Sequence, residues 1–336
     1  MAHKLAINGF GRIGRLTLRS ILERNLTAFE VVAVNDLTDA ATLAHLFKYD
    51  SVHGQYPGHV SADGDHLLID DFKIPVLSER DPSNLPWTSL GCDVVIESTG
   101  FFRDRASATK HLRAGANKVV ISAPAKDTVD ATIVLGVNDH VLTGQEEIIS
   151  NASCTTNCIA PMIKVVDEAF GIQSGLMTTV HAYTSDQRIQ DAPHKDLRRA
   201  RAGAYSIVPT TTGAAKAVGL VLPHMKGKLD GMALRVPIPN GSLTDLTVQV
   251  SATPSKEDVN SAFRTAANGP LSGILEYASD PIVSIDIVHN AHSVIFDSLA
   301  TMVQGNSVKI LGWYDNEWGY ANRAVDVAAL LVSKAS

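Results

Sequence analysis

Cysteine is scarce in this sequence. Three cysteines among 336 residues are too few for a disulfide framework, which points to a reducing compartment. No uninterrupted apolar run approaches the ~18 residues of a membrane span, and Met1-Ala2-His3-Lys4 leads straight into a strand-like segment with no apolar leader core. No membrane association and a cytoplasmic location are therefore expected. Positive charge is not in excess. Lys and Arg number 29 against 35 Asp and Glu, so the net charge of −6 gives no reason to expect nucleic acid or an anionic membrane as the main partner. Metal-ligand spacing is missing too: the 12 histidines are scattered and Cys154 and Cys158 lack a second pair, so no metal is expected. There is no internal repeat, low-complexity segment or flexible linker. What remains is an ordinary globular mixture, 45% hydrophobic and 19% charged, in a chain long enough for two domains.

The N-terminal half alternates strands and helices. A short apolar strand, residues 5–8, runs into Gly9-Phe10-Gly11-Arg12-Ile13-Gly14, and residues 15–24 carry apolar side chains at helical spacing. In that setting the first glycine permits a tight turn, the second lets backbone approach a pyrophosphate, and the third allows the helix to pack closely on the strand. The next strand, residues 29–35, ends at Asp36. A carboxylate at that distance is the expected ligand of the adenine-side ribose hydroxyls, with a cap for the run from Asp39 as the alternative. No arginine follows closely to receive a 2′-phosphate, which favours NAD over NADP. Further strands at residues 93–97 and 118–121 end in Ser98-Thr99-Gly100 and Ser122-Ala123-Pro124. These are either turn chemistry or cofactor contacts, because open α/β sheets bind ligands at strand C-termini. Arg80, by residue type alone, reads as a solvated charge.

Near mid-chain, Asn151-Ala152-Ser153-Cys154-Thr155-Thr156-Asn157-Cys158 precedes a helix-like run over residues 159–170. Ser, Thr and Asn favour the cap, so Cys154 should open the helix, where the positive end of the dipole lowers a thiol's pKa. Cys154 reads as a nucleophile and Cys158 as a buried structural residue. Beyond it, residues 176–183 alternate like a half-buried strand containing His181. A long polar stretch, residues 184–206, carries Arg188, His194, Lys195, Arg198, Arg199 and Arg201. A loop of that length is usually functional, here for phosphate or subunit contact. Thr212-Gly213 opens a helix over residues 214–222, either as a phosphate-holding N-terminus or as an ordinary cap. Strands follow in long runs with few helices between them, which implies a second, mostly antiparallel sheet. The fold class is thus α/β: a Rossmann dinucleotide-binding domain with a parallel sheet, residues 1–152 plus the C-terminal helix 317–336, and an α+β catalytic domain, residues 153–316.

Asn8 to Arg15 with its three glycines, Ser153-Cys154-Thr155-Thr156-Asn157-Cys158, the run His194-Lys195-Asp196-Leu197-Arg198-Arg199-Ala200-Arg201, and Asn316-Glu317-Trp318-Gly319-Tyr320 occur in one family's order. Over residues 3–333 the sequence closely resembles phosphorylating glyceraldehyde-3-phosphate dehydrogenases. The resemblance implies oxidation of D-glyceraldehyde 3-phosphate by NAD, coupled to uptake of inorganic phosphate, with Cys154 as nucleophile and His181 as base. It implies Asn8, Gly9, Gly11, Arg12 and Ile13 at the cofactor's pyrophosphate side, Asp36 at the ribose and Arg80 near the adenine. Thr99, Ser122, Asn316 and Tyr320 lie toward the nicotinamide in the same reading. Thr184, Arg199 and Arg235 correspond to the substrate-phosphate site, and Ser153, Thr155, Thr212 and Gly213 to the inorganic-phosphate site. A homotetramer is implied as well, its long loop reaching a neighbour.

Two positions depart from the family's pattern. Ala192-Pro193 mixes the pairs typical of NAD-using and NADP-using members, and Gly241 stands where the family usually has Val, which would loosen that turn. Three rival readings are a sister enzyme oxidising erythrose 4-phosphate, an RNA-binding role for the basic loop, and a cofactor-free cysteine hydrolase. The Thr210-Thr211-Thr212-Gly213 run argues against the first, the acidic chain and lack of aromatic-interleaved basic surface against the second, and the dinucleotide turn against the third.

Overall fold

A computed structural model describes residues 2–335 of the protein. The chain divides into two compact units. The first comprises the chain up to Ile133, Asp139–Ala152 and everything from Ala321 on; the second comprises Val134–Asn138 and Ser153–Tyr320.

The first unit is built on a nine-stranded sheet, in the order Ala131–Thr132, Ile148–Ser150, Lys118–Ile121, Val94–Glu97, His3–Asn8, Phe29–Asn35, Phe72–Leu77, His66–Ile69, Val60–Asp63. The first seven run parallel. The last two turn antiparallel, because the short connections at residues 64–65 and 70–71 leave no room for a crossover helix. The sheet is therefore mostly, rather than wholly, parallel. Strand order reverses at His3–Asn8, whose neighbours are Phe29–Asn35 on one side and Val94–Glu97 on the other. Such a switch point opens a crevice at the strand's C-terminal end, where Gly9 lies. The first helix spans Arg12–Glu23 and begins three residues before the apolar spacing alone indicates, directly after Gly11. The last helix, Trp318–Lys334, places Ala321, Ala324, Val325, Ala328 and Leu331 on one fully buried stripe. It is tied to the first helix by Asn322 Oδ1, which accepts from Ser20 Oγ at 2.8 Å and from Arg24 at 3.0 Å.

The second unit carries an eight-stranded sheet, ordered Val208–Thr211, Leu229–Val236, Ile172–Ala182, Ser242–Val250, Ser307–Tyr314, Val294–Asp297, Leu275–Ala278, with Met302–Gln304 paired to Ser307–Tyr314. Most pairs are antiparallel, and residues alternate buried and half-buried along Ser242–Val250 and Ser307–Tyr314, as a sheet with one covered face requires. Two pairs are parallel. Ile172–Ala182 lies parallel to Leu229–Val236 because the connection between them includes a strand and the helix Ala214–Val221, enough for a crossover. Leu275–Ala278 pairs in parallel with Val294–Asp297. The helices Cys154–Phe170, Ala214–Val221 and Lys256–Ala267 cover the buried face, where Phe263 and Phe296 stack with ring centroids 3.8 Å apart. Among the described residues no helix is long and apolar enough to cross a membrane.

Candidate active site

In the first unit the glycine turn is shaped by close backbone approach. Gly9 has φ +91°, and a Cβ there would lie 2.6 Å from the amide nitrogen of Thr99. A Cβ on Gly14 would lie 2.0 Å from the Gly9 carbonyl oxygen, so helix and strand meet only because Gly14 has no side chain. Gly11 differs. A Cβ there meets nothing within 4 Å, so no packing within the chain calls for glycine at this point. No side chain caps the helix at Gly11, and a helix start of this kind favours an anion.

Asn8, Gly9, Gly11, Asp36, Arg80 and Thr99 line one cavity of about 400 Å³, together with Leu37, Phe101 and Phe102. Asp36 accepts the amides of Phe10 (2.8 Å) and Thr38 (3.0 Å), one on each oxygen, which leaves acceptor capacity facing outward. The cap of the following helix is Asp39, bonded to Thr42, so Asp36 does not serve there. Arg12, Ile13 and Ser122 lie outside the cavity's lining. The Arg12 side chain turns to Asp50 at 2.5 Å. Burial raises the Asp50 pKa, but Arg12 and the amides of His53 and Val52 outweigh it and hold the carboxyl at about 2. The fit to a dinucleotide rests on Gly11, the uncapped helix start and the outward acceptors of Asp36.

Glu97 supports this cavity from beneath. It is buried, and its carboxylate accepts from Asn8 Nδ2 (2.5 Å), His111 Nε2 (3.1 Å), the Thr99 amide (2.8 Å) and the Thr99 hydroxyl. Trp87 Nε1 donates to His111 Nδ1 at 3.0 Å, which fixes the His111 proton on Nε2. Asn8, also fully buried, accepts from Asn35 at 2.6 Å.

In the second unit Cys154 is the first residue of the helix Cys154–Phe170, and Ser153 Oγ caps it by accepting the Thr156 amide at 3.0 Å. Cys154 Sγ lies 3.4 Å from His181 Nε2. The helix start alone would lower the thiol pKa. In the folded chain burial outweighs it and pushes the Cys154 thiol up, against the opposing pull of Arg235 and of the Thr155 hydroxyl and the Thr155 and Cys154 amides. Burial, then the Arg235 charge, depress His181 to about 3. Burial thus works against charge on both members of the pair. Cys158 is fully buried one turn on, beside Met162.

Arg235 lies on the strand beside His181, register partner to register partner, with Nη1 2.8 Å from His181 Nδ1 and 3.0 Å from the Ala182 carbonyl oxygen. Arg199 donates to Thr210 Oγ1 at 2.9 Å, to the Thr211 carbonyl at 3.2 Å and to Asp186. Two more of the loop's arginines are paired locally: Arg201 with Asp191, and Arg188 with the Pro193 carbonyl. Thr184 opens a turn closed by Gln187 and is half-buried. Thr212 Oγ1 accepts the Ala214 amide at 3.2 Å, while Gly213, at the start of the helix Ala214–Val221, is exposed and supplies no side-chain cap. The Thr155 hydroxyl turns inward to Tyr314. Asn316, also buried, accepts from Ser242 Oγ at 2.7 Å, and Tyr320 is buried. Gly241 has φ +87°, and a Cβ there would lie 2.4 Å from the Ser284 carbonyl oxygen; it is closely held rather than loose.

Sequence reading overlooks Tyr314, Glu97, Asp186 and Ser242. Only Glu97 carried a signal, a carboxylate closing an otherwise apolar strand. Among the described residues no cluster of His, Cys, Asp or Glu is placed to hold a metal ion.

Comparison with known proteins places the chain among relatives. The model of the glyceraldehyde 3-phosphate dehydrogenase NAD binding domain matches residues 3–105, and that of the C-terminal domain matches residues 153–316. The curated glyceraldehyde-3-phosphate dehydrogenase of Mycobacterium avium is 59% identical over 336 residues, covering 98% of this chain and 99% of that protein. Those of Mycolicibacterium smegmatis and Streptomyces coelicolor are 58% and 60% identical over the same shares of each chain.

Proposed function

This chain belongs to the glyceraldehyde-3-phosphate dehydrogenase family, and on that premise we propose that it oxidises D-glyceraldehyde 3-phosphate with NAD and inorganic phosphate, forming 1,3-bisphosphoglycerate through a cysteine thioester. The observation that carries the reading is the 3.4 Å approach of Cys154 Sγ to His181 Nε2 at an N-capped helix start.

Cys154 gives its proton to His181 and adds to the aldehyde carbon, and His181 returns that proton to the aldehyde oxygen, forming a thiohemiacetal and freeing the imidazole to act again as base. The helix-start amide of Cys154 stabilises the oxygen that gains charge. NAD, when bound, supplies the two-electron acceptor for the hydride that leaves this carbon. His181 takes the hydroxyl proton in the same step, and the product is a thioester on Cys154. Inorganic phosphate then attacks the thioester carbonyl and releases the thiolate, which conserves the oxidation energy in the acyl phosphate.

Cofactor binding is assigned to Gly9, Gly11, the amides of Arg12 and Ile13, Asp36, Arg80 and Thr99, held from below by Asn8, with Ser122, Asn316 and Tyr320 toward the nicotinamide. Arg235, Arg199 and Thr184 take the substrate phosphate through charge-assisted hydrogen bonds. Ser153, Thr212 and Gly213 take the attacking phosphate, joined by Thr155 through its amide, since its hydroxyl is bonded to Tyr314. The chemistry is assigned to the second unit, which is wider than residues 153–316 by Val134–Asn138 and residues 317–320 and also supplies Asn316 and Tyr320, and the rest of the cofactor site to the first unit.

A homotetramer is supported by large apolar side chains left exposed in the second unit, among them Leu176, Ile189, Leu197, Tyr205 and Leu220. The three unpaired cysteines support a reducing, cytoplasmic setting. The test of function is NADH formation from glyceraldehyde 3-phosphate with and without inorganic phosphate. One burst per active site followed by a stall is expected when phosphate is omitted. Sustained full turnover without phosphate would remove the phosphorylating mechanism, and equal rates with NADP would remove the NAD preference.

A further inference from the structure

Asn316 follows the strand Ser307–Tyr314 and precedes the helix Trp318–Lys334, and the backbone around it is clamped. Asp315, itself buried, accepts the amides of Glu317 (2.9 Å) and Trp318 (2.8 Å) on one carboxylate oxygen and that of His289 (2.7 Å) on the other. Asn316 is 6% exposed. With the chain path held, the choice left to it is which end of its amide faces inward. The two ends have nearly the same shape and opposite hydrogen-bonding character, oxygen accepting and NH2 donating.

Ser242 makes that choice. It is the first residue of the strand Ser242–Val250 and fully buried, and its hydroxyl has two neighbours: the Ala182 amide nitrogen at 3.1 Å and the Asn316 side chain at 2.7 Å. A main-chain N–H can only donate, so the hydroxyl oxygen accepts from Ala182 and its single proton goes to Asn316. The receiving atom is therefore Oδ1. With the amide turned over, Nδ2 and Ala182 would both aim donors at the serine. The hydroxyl proton would then have no acceptor among the described residues, a costly arrangement in a buried place. Oδ1 inward leaves Nδ2 as the outer atom. It has no partner among the described residues, and unlike the buried amide of Asn240 it keeps contact with solvent.

We propose that Ser242 is a positioning residue for the cofactor: its one proton fixes Asn316 as an outward donor, so the chain receives a nicotinamide carboxamide by its oxygen and not by its nitrogen. This rests on the reading of Asn316 as a nicotinamide contact. The consequence is chemical selectivity, because a donor that cannot turn round rejects a group without a good acceptor. Holding the carboxamide by one end also restricts rotation of the ring that receives the hydride. The same hydroxyl holds the amide of Ala182, the residue after His181, so the asparagine and the strand of the proposed base share one point of reference.

The experiment measures binding by calorimetry, without substrate, for three ligands. They are NAD, its thionicotinamide analogue, in which sulfur, a poor acceptor, replaces the carboxamide oxygen, and ADP-ribose, which has no nicotinamide. The unaltered chain is expected to bind NAD about tenfold more tightly than the thio analogue. In Ser242→Ala the amide of Asn316 is free to turn, and that ratio falls to about twofold or less while the affinity for ADP-ribose stays in place. A merely structural role would not single out the nicotinamide end. Should Ser242→Ala fail to fold, Ser242→Cys, close in size and a weak donor, carries the test and lowers the ratio in the same direction. An Asn316→Ala protein that keeps the full ratio overturns the reading of Asn316 as a nicotinamide contact, and the role of Ser242 with it. A ratio lost in Asn316→Ala but kept when Ser242 is changed overturns the positioning role alone.

Discussion

The hydroxyl of Thr155 lies 2.8 Å from the phenolic oxygen of Tyr314, which lies 2.8 Å from the hydroxyl of Thr179. Each hydroxyl has a single proton, so the row has a direction. With Thr179 donating to the Leu243 carbonyl at 3.3 Å, Tyr314 donates to Thr179 and Thr155 to Tyr314. When the neighbouring sulfur is a thiolate, Thr155 is placed to donate to it instead, and the row reverses.

Tyr314→Phe removes the middle of that row and strands two buried hydroxyls. A loss of about 1–3 kcal/mol in urea unfolding is expected, with a several-fold slower alkylation of Cys154 by iodoacetamide at neutral pH. Alkylation at the unaltered rate would show that the hydroxyls serve packing only.

The three glycines of the dinucleotide turn separate by substitution with alanine. Gly14→Ala drives a methyl into the Gly9 carbonyl and is expected to cost about 3 kcal/mol or to prevent folding. Gly11→Ala meets no atom of the chain, so its melting temperature should stay within a few degrees while NAD affinity falls about tenfold or more. Thermal melts paired with NAD calorimetry decide the matter, and intact NAD binding in Gly11→Ala would refute the proposed pyrophosphate path.

Acid stability should carry the mark of His181. The unfolded imidazole titrates near 6.5 and the folded one at about 3, so between those values the unfolded state holds the additional proton. Its contribution is nil above the unfolded pKa and becomes progressively destabilising as pH falls toward 3, with a slope of up to about 1.4 kcal/mol per pH unit. His181→Asn lacks this term. Unfolding free energies of the two proteins should run parallel above pH 6.5 and converge or cross below it; parallel curves throughout would contradict the assignment.

Glu97→Gln replaces an acceptor of four hydrogen bonds with a group that must donate at one end. A cost of about 2–4 kcal/mol is expected, since either the Thr99 pair or the Asn8 and His111 pair faces a donor. Because Thr99 and Asn8 line the cavity proposed for the cofactor, the KM for NAD should rise while kcat changes little. A variant with wild-type KM would confine Glu97 to core packing.

What could be read in advance was whatever is encoded over a few residues. Gly9 to Gly14 between strand and helix, Asp36 at a strand end, and Ser153 capping a helix that opens with Cys154 are local patterns with local causes. The rest depends on residues that meet only after folding. The guanidinium of Arg12 turns to Asp50, Tyr314 reaches Thr155 across more than 150 positions, and Arg199 is held by Asp186. Nothing in the short-range pattern of either partner announces these pairs. The parallel pairing of Ile172–Ala182 with Leu229–Val236 was hidden for the same reason: two alternating strands look alike whichever way they run.

That pairing has a consequence for how the protein can vary. His181 and Arg235 are opposite one another in a ladder of backbone hydrogen bonds, and a slip of one residue would turn the arginine to the other face. Their separation is thus written into main-chain geometry, while the long segment at residues 183–207 is strung outside the ladder. A change in that segment leaves the spacing of His181 and Arg235 in place, and reaches the imidazole only through the charge of Arg199.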